Sequence, residues 1–187
     1  MNPTQGWRYK GNFDLGGLGG LKFYRTSHEI AYYHPLIGKL VGVFHSRINW
    51  ADGYGGDILP IFERYFLGGP NTLRGYVLRD IGPKSSTGQP LGGDKSLLFN
   101  LEMQYPFTKS FRGFVFYDRG NVYGEGPNLA TTSVDIDLGN MRSSIGTGIR
   151  FISPFGPIGF AYGFKLDRNE FDQNPKGEFH FSAGGGF

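Results

Sequence analysis

The sequence predicts an all-β protein that folds as a transmembrane antiparallel β-barrel of about eight strands. Three observations support this fold class. Apolar and polar residues alternate at the strand period in about eight segments, the apolar positions are unusually aromatic, and long connections alternate with short ones. In such a barrel the apolar side chains face lipid and the polar side chains face the interior. Closure also removes the sheet edges, whose unpaired backbone groups lipid could not satisfy.

Each predicted strand is about ten residues long and places apolar side chains on one face and polar side chains on the other. In the fourth strand, Leu101 and Met103 lie opposite Asn100 and Glu102. The second strand carries an exception, because His28 falls on the apolar face. The predicted strands span residues 6–16, 23–36, 39–50, 94–107, 111–123, 141–153, 158–167 and 177–187.

The connections between these strands fall into two length classes, as in outer-membrane barrels. The connection at residues 16–22 fits least well, because it is only modestly longer than the short class. The predicted periplasmic turns are residues 36–38, 108–110 and 154–157, and the predicted outer loops are residues 51–93, 124–140 and 168–176.

Composition excludes several classes of protein. Glycine supplies 32 of the 187 residues without a collagen period, and 17% of residues are aromatic, which argues against disorder. The net charge of +3 is dispersed, so no nucleic-acid partner is expected. Cysteine is absent, which excludes a disulfide framework. Four histidines lie on different strands without metal-ligand spacing, so neither a metal nor a cofactor is expected.

The longest connection, residues 51–93, contains a stretch reading ERYFLGGPNTLRGYVLRDIGPK, which is too long and too rich in glycine and proline for a hairpin turn. At its centre, Arg74 stands beside Gly75, which permits a tight backbone turn. Two placements of Arg74 remain open. The arginine either lies in water or folds into the barrel interior, where the inward-facing Glu102 and Asp118 could form charge-assisted hydrogen bonds with it.

An enzyme is not expected. Glu102 and Asp118 could in principle act as an acid and base pair, but an ion pair with Arg74 explains both carboxylates more economically. No HExxH, GxSxG or GxxxxGK[ST] pattern occurs in the chain.

The chain resembles the Omp85 superfamily over essentially all of its length. The similarity is carried, in order, by the loop stretch above, by GGDKSLLFNLEMQYPF, by GFVFYDRGNVYG, by IGTGIRFISPFGPIGFAYGF and by the terminal Phe187. The resemblance implies a loop motif that tucks into the barrel and an inner-wall motif that receives its arginine. The implied loop motif is Leu73, Arg74, Gly75 and Tyr76, and the implied inner-wall partners are Glu102, Phe116, Asp118 and Gly120.

The last strand resembles the β-signal, the C-terminal pattern by which such barrels are recognised. Phe179, Phe181 and Phe187 match its apolar positions. The glycines at 184–186 depart from an ordinary strand, because glycine packs no side chain and weakens the ladder. Two interpretations are equally open: a weak closing strand at a seam that opens for incoming strands, or relief of crowding at a barrel corner.

The resemblance implies a function in assembling and inserting proteins into the bacterial outer membrane, without nucleotide or metal. The implied partners are outer-membrane lipid or detergent, unfolded outer-membrane proteins and, for the parent protein, accessory lipoproteins. Two alternatives stay open. One is a polypeptide-translocation pore of the two-partner-secretion type from the same superfamily, and the other is a purely structural barrel fragment.

The resemblance also implies that residues 1–187 are the C-terminal part of a sixteen-stranded barrel, without the periplasmic POTRA domains and the first half of the barrel. No run of 18 apolar residues is present, so no transmembrane helix is expected. The chain opens without a leader only a few residues before a predicted strand, from which we expect a piece of a longer protein. The fragment would close alone, form a homodimer or stay open. An eight-stranded barrel has a filled interior, so we predict that closure alone displaces the loop and breaks the contact between Arg74 and Asp118.

Overall fold

Eight strands form one antiparallel sheet in the computed structural model, which describes residues 3–17, 20–124, 136–154, 156–167 and 176–184. Each strand pairs with its neighbours in sequence, so the predicted all-β antiparallel class is confirmed. Two short 3-10 helices, Ile61–Glu63 and Leu138–Asn140, lie in connections. The strands are β1 (Gly6–Leu15), β2 (Phe23–Pro35), β3 (Val41–Gly53), β4 (Lys95–Pro106), β5 (Phe111–Tyr123), β6 (Arg142–Ser153), β7 (Gly156–Lys165) and β8 (Gly177–Ala183).

The predicted strand limits differ from the observed ones by two residues or more in β3, β7 and β8. Strand β7 starts at Gly156, inside the predicted turn 154–157, and ends at Lys165, because the pairing with β6 begins at Ser153 and Gly156. Strand β3 begins two residues later than predicted, because Leu40 donates its N–H to the Ile37 carbonyl in the turn before it, and it runs three residues further, to Gly53. Strand β8 ends at Ala183, and Gly184 adopts a positive φ of 74°. Phe187 and the glycines at 185 and 186 lie outside the described residues, as do parts of the predicted loops 124–140 and 168–176.

The two faces of the sheet reverse the arrangement of a water-soluble protein. Large apolar side chains of the outer face are exposed, among them Trp7 at 71% and Phe13 at 67%. Polar side chains of the inner face are buried instead, including Asn100 at 1% and Asp118 at 0%. This is the distribution expected when lipid covers the outer face. Within the described residues, no helix is long and apolar enough to cross a membrane.

The sheet is open at both ends. Among the described residues, β1 pairs only with β2 and β8 pairs only with β7. The free side of each end strand therefore presents backbone N–H and C=O groups that have no partner strand in the described ranges. Because the sheet is open, the predicted displacement of the loop in a closed eight-stranded form stays a prediction.

The connection between β3 and β4 lies against the inner face of the sheet and has structure of its own. Backbone hydrogen bonds join Tyr65 with Gly93, and Ile81 donates to the Leu67 carbonyl, so the segment returns on itself twice. Its apolar side chains pack on those of β4 and β5, which places a hydrophobic core between loop and sheet. That core consists of Leu67, Leu73, Tyr76, Ile81, Leu98 and Val122.

Candidate functional site

The candidate site is centred on Arg74, at the innermost point of the loop between β3 and β4. Its guanidinium binds Asp118 of β5 through two nitrogens, with Nη2 at 2.7 Å from Oδ1 and Nε at 2.8 Å from Oδ2. The Arg74 Nη1 donates to Oε2 of Glu102 on β4 at 2.7 Å. We call these three residues the apex cluster. Their side chains are 3%, 0% and 1% exposed for Arg74, Asp118 and Glu102, so the ion pairs are dry.

Burial and charge act in opposite directions on Arg74. Burial by itself lowers the pKa of the guanidinium, but the charges of Asp118 and Glu102 and their hydrogen bonds outweigh burial and raise that pKa above its ordinary value. The backbone N–H of Arg74 also donates to Asp118 Oδ2 at 3.0 Å. The arginine is therefore fixed in charge and in position.

Aromatic rings of the inner wall complete the pocket around the guanidinium. The Arg74 Cζ lies 3.6 Å from the ring centroid of Phe116 and 5.6 Å from that of Phe114. Contact between a guanidinium and an aromatic face is favourable, and more so where water is excluded. A Cβ at Gly146 or Gly148 of β6 would collide with the Phe116 or Phe114 ring, so these glycines make room for the aromatic pair.

The backbone of Arg74 and Gly75 reaches three further strands. Ser144 of β6 donates its hydroxyl to the Arg74 carbonyl. His180 of β8 accepts the Gly75 N–H at its Nε2, at 2.8 Å. Between them the loop backbone touches Gly163 of β7, where an added Cβ would lie 2.5 Å from the Gly75 nitrogen. Five consecutive strands, β4 to β8, therefore each contact these two residues.

The remaining motif residues support this close approach. Gly75 has a φ of +89°, which non-glycine residues rarely adopt, and a Cβ there would lie 3.0 Å from the Gly163 backbone. The Tyr76 hydroxyl donates to the carbonyls of Ser143 and Asp167, at 3.0 and 2.9 Å. Leu73 is fully buried in the hydrophobic core. A Cβ at Gly120 would lie 3.1 Å from the Leu73 side chain, so Gly120 leaves space for that leucine.

A polar network extends the apex cluster along the inner wall. Oε1 of Glu102 accepts from Gln104 Nε2 at 2.7 Å and from Arg150 Nη1 at 3.2 Å. On the other side, Asn100 donates from Nδ2 to the Thr72 carbonyl of the loop and accepts the Nδ1–H of His45 at Oδ1, both at 2.8 Å. Each oxygen of Glu102 is thus occupied, which supports an electrostatic role for this carboxylate.

A second charged group lies on the same inner wall. Glu29 of β2 binds Arg8 of β1 at 3.1 Å and Arg47 of β3 at 2.9 Å. We call these three residues the wall cluster. Unlike the apex cluster it joins strand to strand, and its arginine side chains are 48% and 27% exposed.

The structure brings together all the loop-motif and inner-wall residues that the sequence singled out, and it adds three that sequence reasoning missed. Ser144, Gly163 and His180 all lie at inward-facing positions. The alternation along each strand predicts that they face inward, but it does not distinguish them from the other inward-facing residues. Phe179 and Phe181, which the sequence analysis matched to the β-signal, point outward and are 60% and 55% exposed, away from this site, and their role as a β-signal stays a prediction. Within the described ranges, no group of three or more His, Asp or Glu side chains could hold a metal ion.

Comparison with known proteins identifies the family to which the chain belongs. The Omp85 superfamily domain matches residues 1–187. The outer membrane protein assembly factor BamA of Nitratidesulfovibrio vulgaris is 34% identical over 191 residues, which cover 97% of this chain and 23% of that protein. The sorting and assembly machinery component 50 homolog of Mus musculus is 31% identical over 147 residues, which cover 67% of this chain and 30% of that protein. The chain thus spans less than a third of the length of these relatives.

Structural comparison agrees with the sequence relatives. The crystal structure of BamA from Haemophilus ducreyi lacking POTRA domains 1–3 matches 96% of this chain and 38% of its own, with a TM-score of 0.80 and 24% identity. The likeness shows that this sheet has the fold of one part of a larger barrel. The family recognised from the sequence is therefore confirmed: the chain belongs to the Omp85 superfamily, as a segment of a bacterial outer-membrane β-barrel protein.

Proposed function

We propose that this chain is part of a BamA-like insertase, a barrel that assembles and inserts proteins into the bacterial outer membrane. The names of the relatives above support this function. The observation that carries it is the dry ion pairing of Arg74 with Asp118 and Glu102, which fixes the loop to the inner wall. An insertase has to keep its own barrel in shape while incoming strands pair with an open edge, and a loop bound to five strands supplies that rigidity.

The driving force in this proposal comes from the client protein and the membrane. Burial of apolar strand faces in lipid and pairing of backbone groups favour insertion without nucleotide, metal or cofactor. Both carboxylates of the apex cluster are engaged by Arg74, which favours a bracing role over acid and base chemistry. We accordingly propose that the protein is not an enzyme.

The partners follow from the same proposal. The apolar outer face meets outer-membrane lipid, and the parent protein receives unfolded outer-membrane proteins and binds the Bam lipoproteins. We propose that residues 1–187 form the C-terminal part of the parent barrel, with residues 51–93 as its lumenal loop, and that they are inactive alone. The free edges of β1 and β8 would allow a homodimer of the fragment. Light scattering on the detergent-solubilised fragment, corrected for bound detergent, measures that state.

The test uses the parent protein reconstituted in lipid vesicles. A urea-unfolded outer-membrane barrel is added, and its folding is followed by the gel shift that folded barrels show without heating. We expect the Arg74→Ala variant to lose most of the acceleration of folding, and the Arg47→Ala variant of the wall cluster to keep it. Equal acceleration by both variants, with both correctly folded, would contradict the bracing role.

A second candidate function is a polypeptide-translocation pore of the two-partner-secretion type. The coverage of the inner face by the loop favours it, because a loop in that position would plug a channel. Conductance of planar bilayers separates the two candidates. If the protein is a pore, the Arg74→Ala variant should show a stable large conductance, because the loop no longer plugs the channel, and the pore should pass its polypeptide substrate. If the protein is an insertase, it should instead accelerate the folding of client proteins.

A further inference from the structure

We propose that His180 is a pH-sensitive latch that fastens the Arg74 loop to the last strand, β8. The hydrogen bond from the Gly75 N–H to His180 Nε2 joins residues 105 positions apart in the chain. It joins the loop directly to a side chain of β8. This inference refines the proposed function by naming the residue that couples loop and end strand, but its test measures the loop itself and not insertion.

The chemistry of the bond fixes the state of the imidazole. A backbone N–H can only donate, so His180 Nε2 must carry the lone pair and the ring proton must lie on Nδ1. A second proton on the ring would place it on Nε2, where two N–H groups would face each other at 2.8 Å. Protonation therefore breaks the latch, and release of the loop takes up one proton. Acid favours release.

The surroundings of His180 leave it able to exchange that proton. Its ring lines an inner-face cavity of about 150 Å³ between β2, β3, the loop and β5 to β8. Positive charges facing it are Arg74 from the loop and, across the cavity, Arg47 and Arg150. Negative charges are Asp118 of β5, Glu178 of β8 and, across the cavity, Glu29. Imidazole is the side chain that ordinarily changes charge between pH 5 and pH 8, and these are the charged groups that face it.

Because β8 is the end strand of the sheet, opening the latch affects this strand as well as the loop. Strand β8 has seven residues, and in the part of the chain that the structure describes it pairs only with β7. The strand is followed at once by Gly184, which leaves the strand conformation with a φ of +74°. All seven residues of β8 pair with β7, and the bond between Gly75 and His180 adds an attachment of this strand to the buried loop. Opening the latch loosens the loop and β8 together.

The experiment measures amide hydrogen exchange of the intact parent protein in lipid nanodiscs, by mass spectrometry of the peptides that contain Gly75 and β8. Rates are divided by those of unstructured peptides at the same pH, which gives protection factors between about pH 8 and pH 5 around the imidazole titration. Three variants are compared with the wild type: H180A, H180Q and H45Q. Glutamine at 180 keeps an acceptor oxygen near the position of Nε2 but does not titrate. His45 is the control for titration of another buried inner-wall histidine: its Nδ1 pairs with Asn100 and its Nε2 lies 3.4 Å from Glu29, so it reaches the loop only through Asn100.

We expect the wild type and H45Q to lose protection at Gly75 and β8 about five- to tenfold as the pH falls, the factor for one hydrogen bond. H180Q should keep its protection over the whole range, and H180A should be low throughout. Parallel loss in the wild type and H180Q would overturn the proposal, because the carboxylates of the apex cluster would then be the titrating groups. Unchanged protection in H180A would also overturn it. Failure of the insertion test with intact pH-dependent protection would reject the proposed function and leave the latch standing.

Discussion

The apex cluster and the wall cluster contain the same residue types, carboxylates bound by arginines, yet they do different things. The apex cluster joins a loop to the wall, and its arginine and carboxylate side chains are all 3% exposed or less. The wall cluster joins neighbouring strands, and its Arg8 side chain is 48% exposed. An ion pair removed from water loses much when one partner is deleted, whereas an exposed pair is screened. We therefore expect burial, and not residue type, to decide which cluster contributes more to the free energy of unfolding.

The largest expected effect is that of Arg74→Ala. Removing the guanidinium leaves Asp118 as a buried charge without its arginine and leaves Glu102 with Arg150 as its charged partner, so the free energy of unfolding should fall by about 3 to 5 kcal/mol. Urea titration of the parent protein in lipid vesicles measures this loss. A lysine at 74 should recover only part of it, because an ammonium cannot bind Asp118 through two nitrogens. If Arg74→Ala cost no more than Arg47→Ala, burial would not distinguish the clusters.

The next largest effect is expected from Gly163→Ala, which challenges the close approach of the loop. The added Cβ would lie 2.5 Å from the Gly75 nitrogen and 2.7 Å from its Cα, so the loop backbone has to shift, at a cost of about 1 to 3 kcal/mol. Limited proteolysis of the loop and urea titration both report that shift.

Gly159→Ala is the matched control for this substitution, in the same strand and on the same face. There the added Cβ would meet the Ser182 hydroxyl at 2.7 Å, and that side chain is free to rotate away. Equal effects of the two alanines would mean that β7 tolerates no side chain at either site, independently of the loop.

A smaller effect is expected from Ser144→Ala. The Ser144 hydroxyl is fully buried and donates to the Arg74 carbonyl, so its loss leaves a buried acceptor with one partner fewer, at a cost of about 1 to 2 kcal/mol. The protection of the Gly75 amide from hydrogen exchange should fall together with the free energy of unfolding. Ser182→Ala, on the same face of the sheet in β8, should leave that protection unchanged. Loss of protection in both serine variants would point to a general loosening of the sheet.

The smallest effect is expected from Arg47→Ala in the wall cluster. The Arg47 and Glu29 side chains are 27% and 16% exposed, so their pairing should contribute at most about 1 kcal/mol and should weaken as salt is added. Urea titrations at low and high salt measure both properties. A large, salt-independent loss would show that the wall cluster is as dry as the apex cluster in the membrane, and the comparison would fail.

Much of this molecule was predictable because strand periodicity is a local signal. Alternation along β4 and β5 was enough to turn Glu102 and Asp118 inward and Leu101 and Val115 outward. The same alternation put Phe114 and Phe116 on the charged side, where the structure shows them against Arg74. Strand ends were predicted less well, because the turn before β3 and the glycine after β8 depend on backbone hydrogen bonds and φ angles that alternation does not encode.

The sequence by itself determined the all-β class, the two faces of each strand and the presence of an arginine that needed an anion. Only the tertiary structure decided that Arg74 lies inside, that Ser144 binds the Arg74 carbonyl, and that Gly163 and His180 contact the backbone of Gly75. The physical reason is the range of the forces involved. Side-chain direction follows from the pleat of a few residues, whereas the position of the loop depends on contacts up to 105 residues away, which exist only once all five strands are in place.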